Sequence, residues 1–168
     1  MGTIVQVNVK PEPKAGTGLQ KSPVAAAAVS VTGVQGDFNR YRHEQMHDDP
    51  DSAVLLMPIE TLEELQAEGW PVRPGDLGEN ITTRGIAYAA LPPGATVRAG
   101  TAVLQVSRAC DPCSNLFELP YVGKDRGPQF LKVMMGRRGW YARVLRPGRV
   151  SPGDRVELVA AHDAPTTA

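Results

Sequence analysis

The sequence predicts a mostly β domain, a closed or nearly closed barrel of about seven or eight short strands with a few short peripheral helices. Two observations carry this. The chain of 168 residues holds 17 glycines and 15 prolines, which demand frequent turns. The apolar runs between those turns are short, and most suit the two-residue period of a strand better than helical spacing. The length suits a single domain over residues 1–168.

Taken in order, Thr3 to Val9 alternates and puts Val5, Val7 and Val9 on one face of a first strand closed by Pro11. Pro11 to Ser22 reads as a loop. Val24 to Val31 reads as a second strand stopped by Gly33 and Gly36, with an Ala-rich helix as the competing reading. Gly36 to Asp51 is polar. Ala53 to Met57 has the composition of a buried strand, and Pro58 to Glu68 that of a helix with Ile59, Leu62 and Leu65 on one face, stopped by Gly69 and Pro71. Strands follow near Glu79 to Thr83, Thr96 to Ala99 and Thr101 to Arg108. A helical turn is expected near Asp111, and a short helix over Pro128 to Met135 whose residues are too evenly apolar to define a face. Trp140 to Leu145 and Arg155 to Val159 are the last strands, and His162 to Ala168 reads as a frayed tail.

Eighteen basic residues balance eighteen acidic ones, so net charge calls for neither nucleic acid nor an anionic membrane. No apolar run approaches the ~20 residues of a membrane span, and the first residues lack a signal-peptide pattern. The expected compartment is the cytoplasm, where two cysteines are thiols more often than a disulfide.

Four segments carry groups suited to chemistry. Arg73 to Ile86 combines Pro74-Gly75, Gly78 and the polar pair Glu79-Asn80 where a loop becomes a strand, a place from which groups are aimed. Asp111-Pro112-Cys113 matches an N-cap, a first-position proline and a cysteine in the first helical turn, where free N–H groups favour a thiolate that serves as nucleophile or soft metal ligand. Cys110 adds a Cys-x-x-Cys spacing outside any βαβ context, so a redox motif of the thioredoxin type is disfavoured. His43-Glu44-Gln45-Met46-His47 spells the zincin motif, which implies a zinc hydrolase with Glu44 as base, but Asp48-Asp49-Pro50 breaks the helix that motif requires. Gly136-Arg137-Arg138-Gly139 has the glycines and guanidinium groups of an anion cradle.

The order Pro-Gly-Asp-Leu-Gly-Glu-Asn-Ile-Thr from Pro74, then Arg84-Gly85-Ile86, Leu91-Pro92-Pro93-Gly94, Gly100 to Ser107, Pro112-Cys113, Gly139 to Val144 and Pro152-Gly153-Asp154, resembles the MOSC family. That family is named for the C-terminal domain of molybdenum cofactor sulfurase. The resemblance runs from about Gln20 to about Val159, and implies a stand-alone β-barrel of the pyruvate-kinase-barrel type. It further implies a molybdenum cofactor, Cys113 as catalytic residue and metal ligand or persulfide carrier, and cofactor contacts at Lys21, Asp37, Asn80, Arg84, Arg108, Asn115 and Arg143. The activity implied is sulfur transfer or reduction of an N-hydroxylated small molecule, and a cofactor carrier without catalysis is the alternative. The pyridoxal-phosphate domain of the fused sulfurases has no counterpart here, so a cysteine desulfurase or an electron-donor protein would be the partner. One departure stands out: His47-Asp48-Asp49 occupies the place where the family pattern has His-Gly-Gly.

Overall fold

The computed structural model describes residues 1–10 and 19–160. Its strands are β1 (Gly2–Val9), β2 (Ser22–Val24), β3 (Ala27–Ser30), β4 (Gly33–Val34), β5 (Val54–Pro58), β6 (Ile81–Arg84), β7 (Thr96–Ala99), β8 (Ala102–Ala109), β9 (Trp140–Arg146), β10 (Gly148–Val150) and β11 (Arg155–Val159). Three α-helices accompany them, α1 (Arg40–Met46), α2 (Ile59–Ala67) and α3 (Gly123–Met134), with 3-10 turns at Pro50–Ser52, Tyr88–Ala90 and Ser114–Glu118.

Seven strands close a ring in the order β11, β7, β8, β9, β5, β6, β1 and back to β11, and β2 adds to β1 outside it. Closure removes the unpaired edges that an open sheet exposes. A small second sheet has the order β10, β3, β4. Within the ring only β5 and β6 pair in parallel. Parallel neighbours cannot be joined by a hairpin, so α2 and the glycine-rich loop after it make the crossover. That loop, Arg73 to Asn80, is thereby carried across one end of the barrel.

Two hydrophobic cores result. Ile4, Val7, Leu56, Ile81, Leu104, Val106 and Ala142 belong to the barrel core, with Trp140 packed against it. Met57, Leu62, Leu65, Trp70, Leu77, Leu116, Phe130 and Met134 form a second core that includes residues of α2 and α3. All five residues of β5 are buried, because its alternating side chains serve both: Val54 and Leu56 join the barrel core and Met57 the other. Trp70 sits in the second core with its ring 4.6 Å from that of Phe130, whereas Trp140 lies 5.0 Å from the Tyr88 ring and donates Nε1–H to the Tyr88 carbonyl.

The structure corrects several expected elements. A register shift between Ile4 and Gln6 turns the inward face of β1 to Ile4 and Val7, leaving Val5 only half-buried. The expected strand over Val24 to Val31 is divided into β2 and β3, which belong to different sheets. Helix α3 starts at Gly123, five residues before the proline expected to open it, and then Gly127, Phe130 and Met134 do form one buried face. A Cβ at Gly127 would lie 2.4 Å from the Phe117 ring, so glycine permits that close approach. Glu79 and Asn80 stay in the loop, and β6 begins at Ile81. The expected tail from His162 lies outside the described residues.

Candidate functional site

The crossover loop builds its own polar framework. Gly75 has φ +95°, and a Cβ there would lie 2.4 Å from the Lys21 carbonyl, so only glycine lets the two backbones pair through Lys21 N–H to Gly75 C=O at 2.9 Å. The Gly75 N–H donates to Glu79 Oε1 at 2.6 Å, and the Thr82 hydroxyl donates to the same oxygen at 3.2 Å. Burial nevertheless outweighs these donors and pushes the Glu79 carboxyl above the usual carboxylate range, and its Oε2 is buried without a partner. Lys21 Nζ contacts Asp37 Oδ2 at 2.7 Å, Asn80 Nδ2 donates to that oxygen at 2.9 Å, and the Lys10 N–H donates to Asp37 Oδ1 at 2.8 Å. Asn80 Oδ1 accepts the Leu55 N–H at 3.1 Å. Lys21, Asp37 and Asn80 thus spend their polar groups on one another and on the backbone.

Beside this framework lies a cavity of about 190 Å³, lined by Leu77 and Gly78 of the same loop and by Arg108, Cys110, Cys113, Asn115, Arg138 and Tyr141. Cys113 is half-buried and Cys110 buried, and both are free thiols. The expected first-turn placement of Cys113 is corrected: it is the N-cap residue of the 3-10 turn Ser114–Glu118, extended at φ −139° and ψ 170°. Pro112 disfavours a helical conformation at Asp111, which keeps the chain extended through this stretch. The nearby positive charge comes instead from Arg138, whose Nη1 donates to the Asp111 carbonyl at 2.8 Å and lies 3.5 Å from Cys113 Sγ.

The Gly-Arg-Arg-Gly segment divides its two arginines. Arg137 turns outward to Glu68 at 2.8 Å and Glu64 at 3.5 Å. Arg138 turns inward and is 7% exposed. Gly139 holds this turn at φ +93°, where a Cβ would lie 2.4 Å from the Leu56 carbonyl. Burial works against the Arg138 charge, while its polar neighbours Cys110, Cys113 and Tyr141 pull the other way and leave its pKa raised on balance. Burial also pushes the Cys110 thiol up, against the opposing pull of Arg138 and of the Tyr141 phenol. Tyr141 is raised by burial and then by Cys110, so the pair faces the cavity uncharged.

Arg108 lines the cavity but is held by the acidic turn: its Nη1 and Nη2 each lie 3.1 Å from Asp49 Oδ2, its Nη2 also donates to the Ser52 hydroxyl, and its guanidinium lies over Tyr141 at 5.3 Å. Burial raises Asp49, yet the Asp51 N–H, Arg108 and Ser52 together bring the carboxyl below its usual value. Arg143 pairs with Asp51 at 3.0 Å and does not line the cavity. Arg84 pairs with Glu63 at 2.6 Å, also outside it. Of the residues singled out in the sequence, Cys113, Arg108 and Asn115 therefore share the cavity, whereas Lys21, Asp37, Asn80, Arg84 and Arg143 stand around or away from it. Tyr141 was not singled out, because only its register opposite Arg108 across β8 and β9 brings it to the wall.

The zincin-like segment folds otherwise. Helix α1, capped by Asn39 accepting from the Arg42 N–H at 3.1 Å, ends at Met46. His47 and Asp48 follow in the left-handed region at φ +49° and +58°. Arg42 ties this end down by donating to the carbonyls of Thr32, Asp48 and Asp49 at 2.7, 2.9 and 3.0 Å. His43 Nδ1 lies 2.9 Å from Asp48 Oδ2. With His47 outside the helix the two imidazoles lack the one-face spacing of a zincin. Among the described residues no group of three His, Cys, Asp or Glu is placed to hold a metal, and no helix is long and apolar enough to cross a membrane.

Comparison with known proteins agrees with this architecture. The chain is 34% identical over 148 residues to the uncharacterized protein YflK of Bacillus subtilis, covering 86% of this chain and 64% of that one. It is 28% identical over 135 residues to protein YiiM of Escherichia coli, covering 76% and 57% respectively. The chain therefore spans less than two thirds of the length of these two relatives. Among solved structures, YiiM from Geobacillus stearothermophilus superposes with a TM-score of 0.70 at 32% identity over 95% of this chain and 76% of that one. The YUAD protein of Bacillus subtilis shares the fold, with a TM-score of 0.77 at 21% identity over 94% and 96%. Residues 43–157 match the model of the MOSC domain, and the chain belongs to the MOSC domain family.

Proposed function

We propose that the Cys113 cavity receives the reactive end of a molybdenum cofactor, with Cys113 as the metal's thiolate ligand, and that the protein serves sulfur transfer or the reduction of an N-hydroxylated small molecule. The observation that carries this reading is a half-buried thiol on the wall of a cavity, 3.5 Å from a buried guanidinium. A soft sulfur beside a fixed positive charge suits a soft metal centre better than magnesium or calcium. The cavity, about 190 Å³, is smaller than the ~300–1,000 Å³ of a site that encloses a whole cofactor, so the remainder would lie across its mouth. When bound, such a cofactor supplies a two-electron redox centre. The chain itself supplies the rest: Arg138 sets a fixed positive charge beside the Cys113 sulfur, Asn115 offers amide hydrogen bonds, and burial keeps Cys110 a neutral neighbour. Sulfur or electrons come from a partner protein in this reading.

Metal and pterin analysis of the purified protein tests it. Molybdenum with a pterin released on denaturation is the expected result, and stoichiometric zinc without pterin would remove the assignment. In the loaded protein with a donor supplied, Cys113→Ser should abolish turnover with little loss of fold stability, because a hard hydroxyl replaces the soft ligand at nearly constant volume. Cys110→Ser should keep most of it. Cofactor binding without turnover in the parent would identify a carrier instead.

A further inference from the structure

We infer that the cavity contains an anion-binding site anchored by Arg138 and fitted to a small oxyanion, free or borne on a small molecule presented to Cys113. The inference deepens the reading of this cavity as the functional site, and it is tested on the apoprotein.

A guanidinium offers five N–H donors. Arg138 uses Nη1 on the Asp111 carbonyl and on Cys113 Sγ, while its Nε is buried with no hydrogen-bond partner. No hydrogen bond from Nη2 and no carboxylate partner is found among the described residues. Asp111 gives Arg138 its carbonyl, not its carboxylate.

Six other arginines show how this chain treats the same group elsewhere. Arg84, Arg98, Arg108, Arg137 and Arg143 each have a carboxylate within 3.5 Å. Arg42, also buried, has none but gives its donors to three carbonyls and braces the end of α1. Arg138 has neither solution, although it is 7% exposed and lines a cavity. A buried cation whose Nη2 has no hydrogen bond among the described residues, at a cavity wall, is complementary to a planar or tetrahedral oxyanion, which a guanidinium fork binds through two charge-assisted hydrogen bonds. The volume of about 190 Å³ accommodates several water-sized groups at ~30 Å³ each, enough for such an anion and some solvent. Asn115, on the same wall, adds an amide donor.

The test titrates the apoprotein with inorganic phosphate and with phenyl phosphate at constant ionic strength. Binding is followed by calorimetry and by the Arg138 Nε–H resonance in arginine-labelled protein. Saturable phosphate binding that shifts this resonance is expected. Arg138→Gln should weaken it at least tenfold, Arg138→Lys should restore part of it, and Arg137→Gln should change it less than twofold. Equal affinity for the two probes indicates a free anion as ligand, and tighter binding of phenyl phosphate an anionic group on a larger molecule. If Arg138→Gln does not fold, the resonance in the parent decides alone. No saturable binding of either probe, binding that leaves the Arg138 resonance unmoved, or unchanged affinity in a folded Arg138→Gln would overturn the site. The cofactor reading fails separately, on the metal and pterin content of the protein as purified.

Discussion

Two polar clusters sit at one end of this barrel, and they are built on opposite plans. Around the crossover loop, Lys21, Asp37 and Asn80 saturate one another, and their charges cancel within 2.7 Å. Around Cys113, Arg138 keeps a charge without a carboxylate partner among the described residues and a buried Nε without an acceptor. The first cluster shapes the wall and the second faces the space. Polar residues packed into a motif are therefore not equivalent: Lys21, Asp37 and Asn80 spend their groups on one another and hold geometry, whereas Arg138 keeps unused donors at a cavity wall.

The largest expected effect breaks the saturated cluster. Asp37→Ala strands a buried ammonium and should cost about 3–5 kcal/mol in urea unfolding, whereas Lys21→Met with Asp37→Leu together should recover part of that loss. A cost near that of a surface ion pair would mean that this cluster is not the structural one.

Glu79 offers a test by pH. Burial raises its folded carboxyl, so the neutral form is favoured in the folded protein. Its contribution to stability is fully present below the unfolded value, ~4.3, and is lost as pH rises through that value toward the folded one. Glu79→Gln should flatten that part of the stability profile and gain on the parent as pH rises toward 7, read from unfolding midpoints at pH 4 and pH 7. An unchanged profile would place the proton elsewhere.

Smaller effects come from the acidic turn. Asp49→Asn loosens Arg108 and should cost at most ~1 kcal/mol, since exposed pairs contribute little. Its folded carboxyl is depressed, so this contribution is present above the unfolded value, ~3.9, and is lost as pH falls through the folded one. The smallest effect belongs to Arg84→Ala, which should stay within ~0.5 kcal/mol and leave any cofactor content unchanged, because its exposed pair with Glu63 lies outside the cavity.

The barrel was legible from short-period apolar runs and turn residues, since Val54 to Pro58 and Thr96 to Ala99 are punctuated by glycine and proline on the scale of single strands. Features depending on pairing were not. The shift in β1 that exchanges Val5 for Ile4 arises from its register with β6, which no local pattern records. The same holds at the site. Cys113 was legible from the Pro-Cys motif, yet the expected helix dipole is replaced by a guanidinium 25 residues away in sequence. Gly-Arg-Arg-Gly announced two cations but not which would turn inward, because that depends on Glu64 and Glu68 one layer away. His-Glu-x-x-His was legible as a decoy from Asp48-Asp49-Pro50, and the helix ends sooner than that break required, one residue short of the second histidine.

The division of the interior into two cores has a spectroscopic consequence. The chain holds two tryptophans, and each core has one. Emission from Trp70 reports on the helical layer and its Phe130 neighbour, whereas Trp140, two residues after Arg138, reports on the barrel beside the cavity. Two single-tryptophan proteins, made by Trp70→Phe and Trp140→Phe, thus amount to two separate optical probes. Coincident melting of both would define the domain as one cooperative unit, and earlier melting of Trp70 would show that the barrel outlives the helices that cover it.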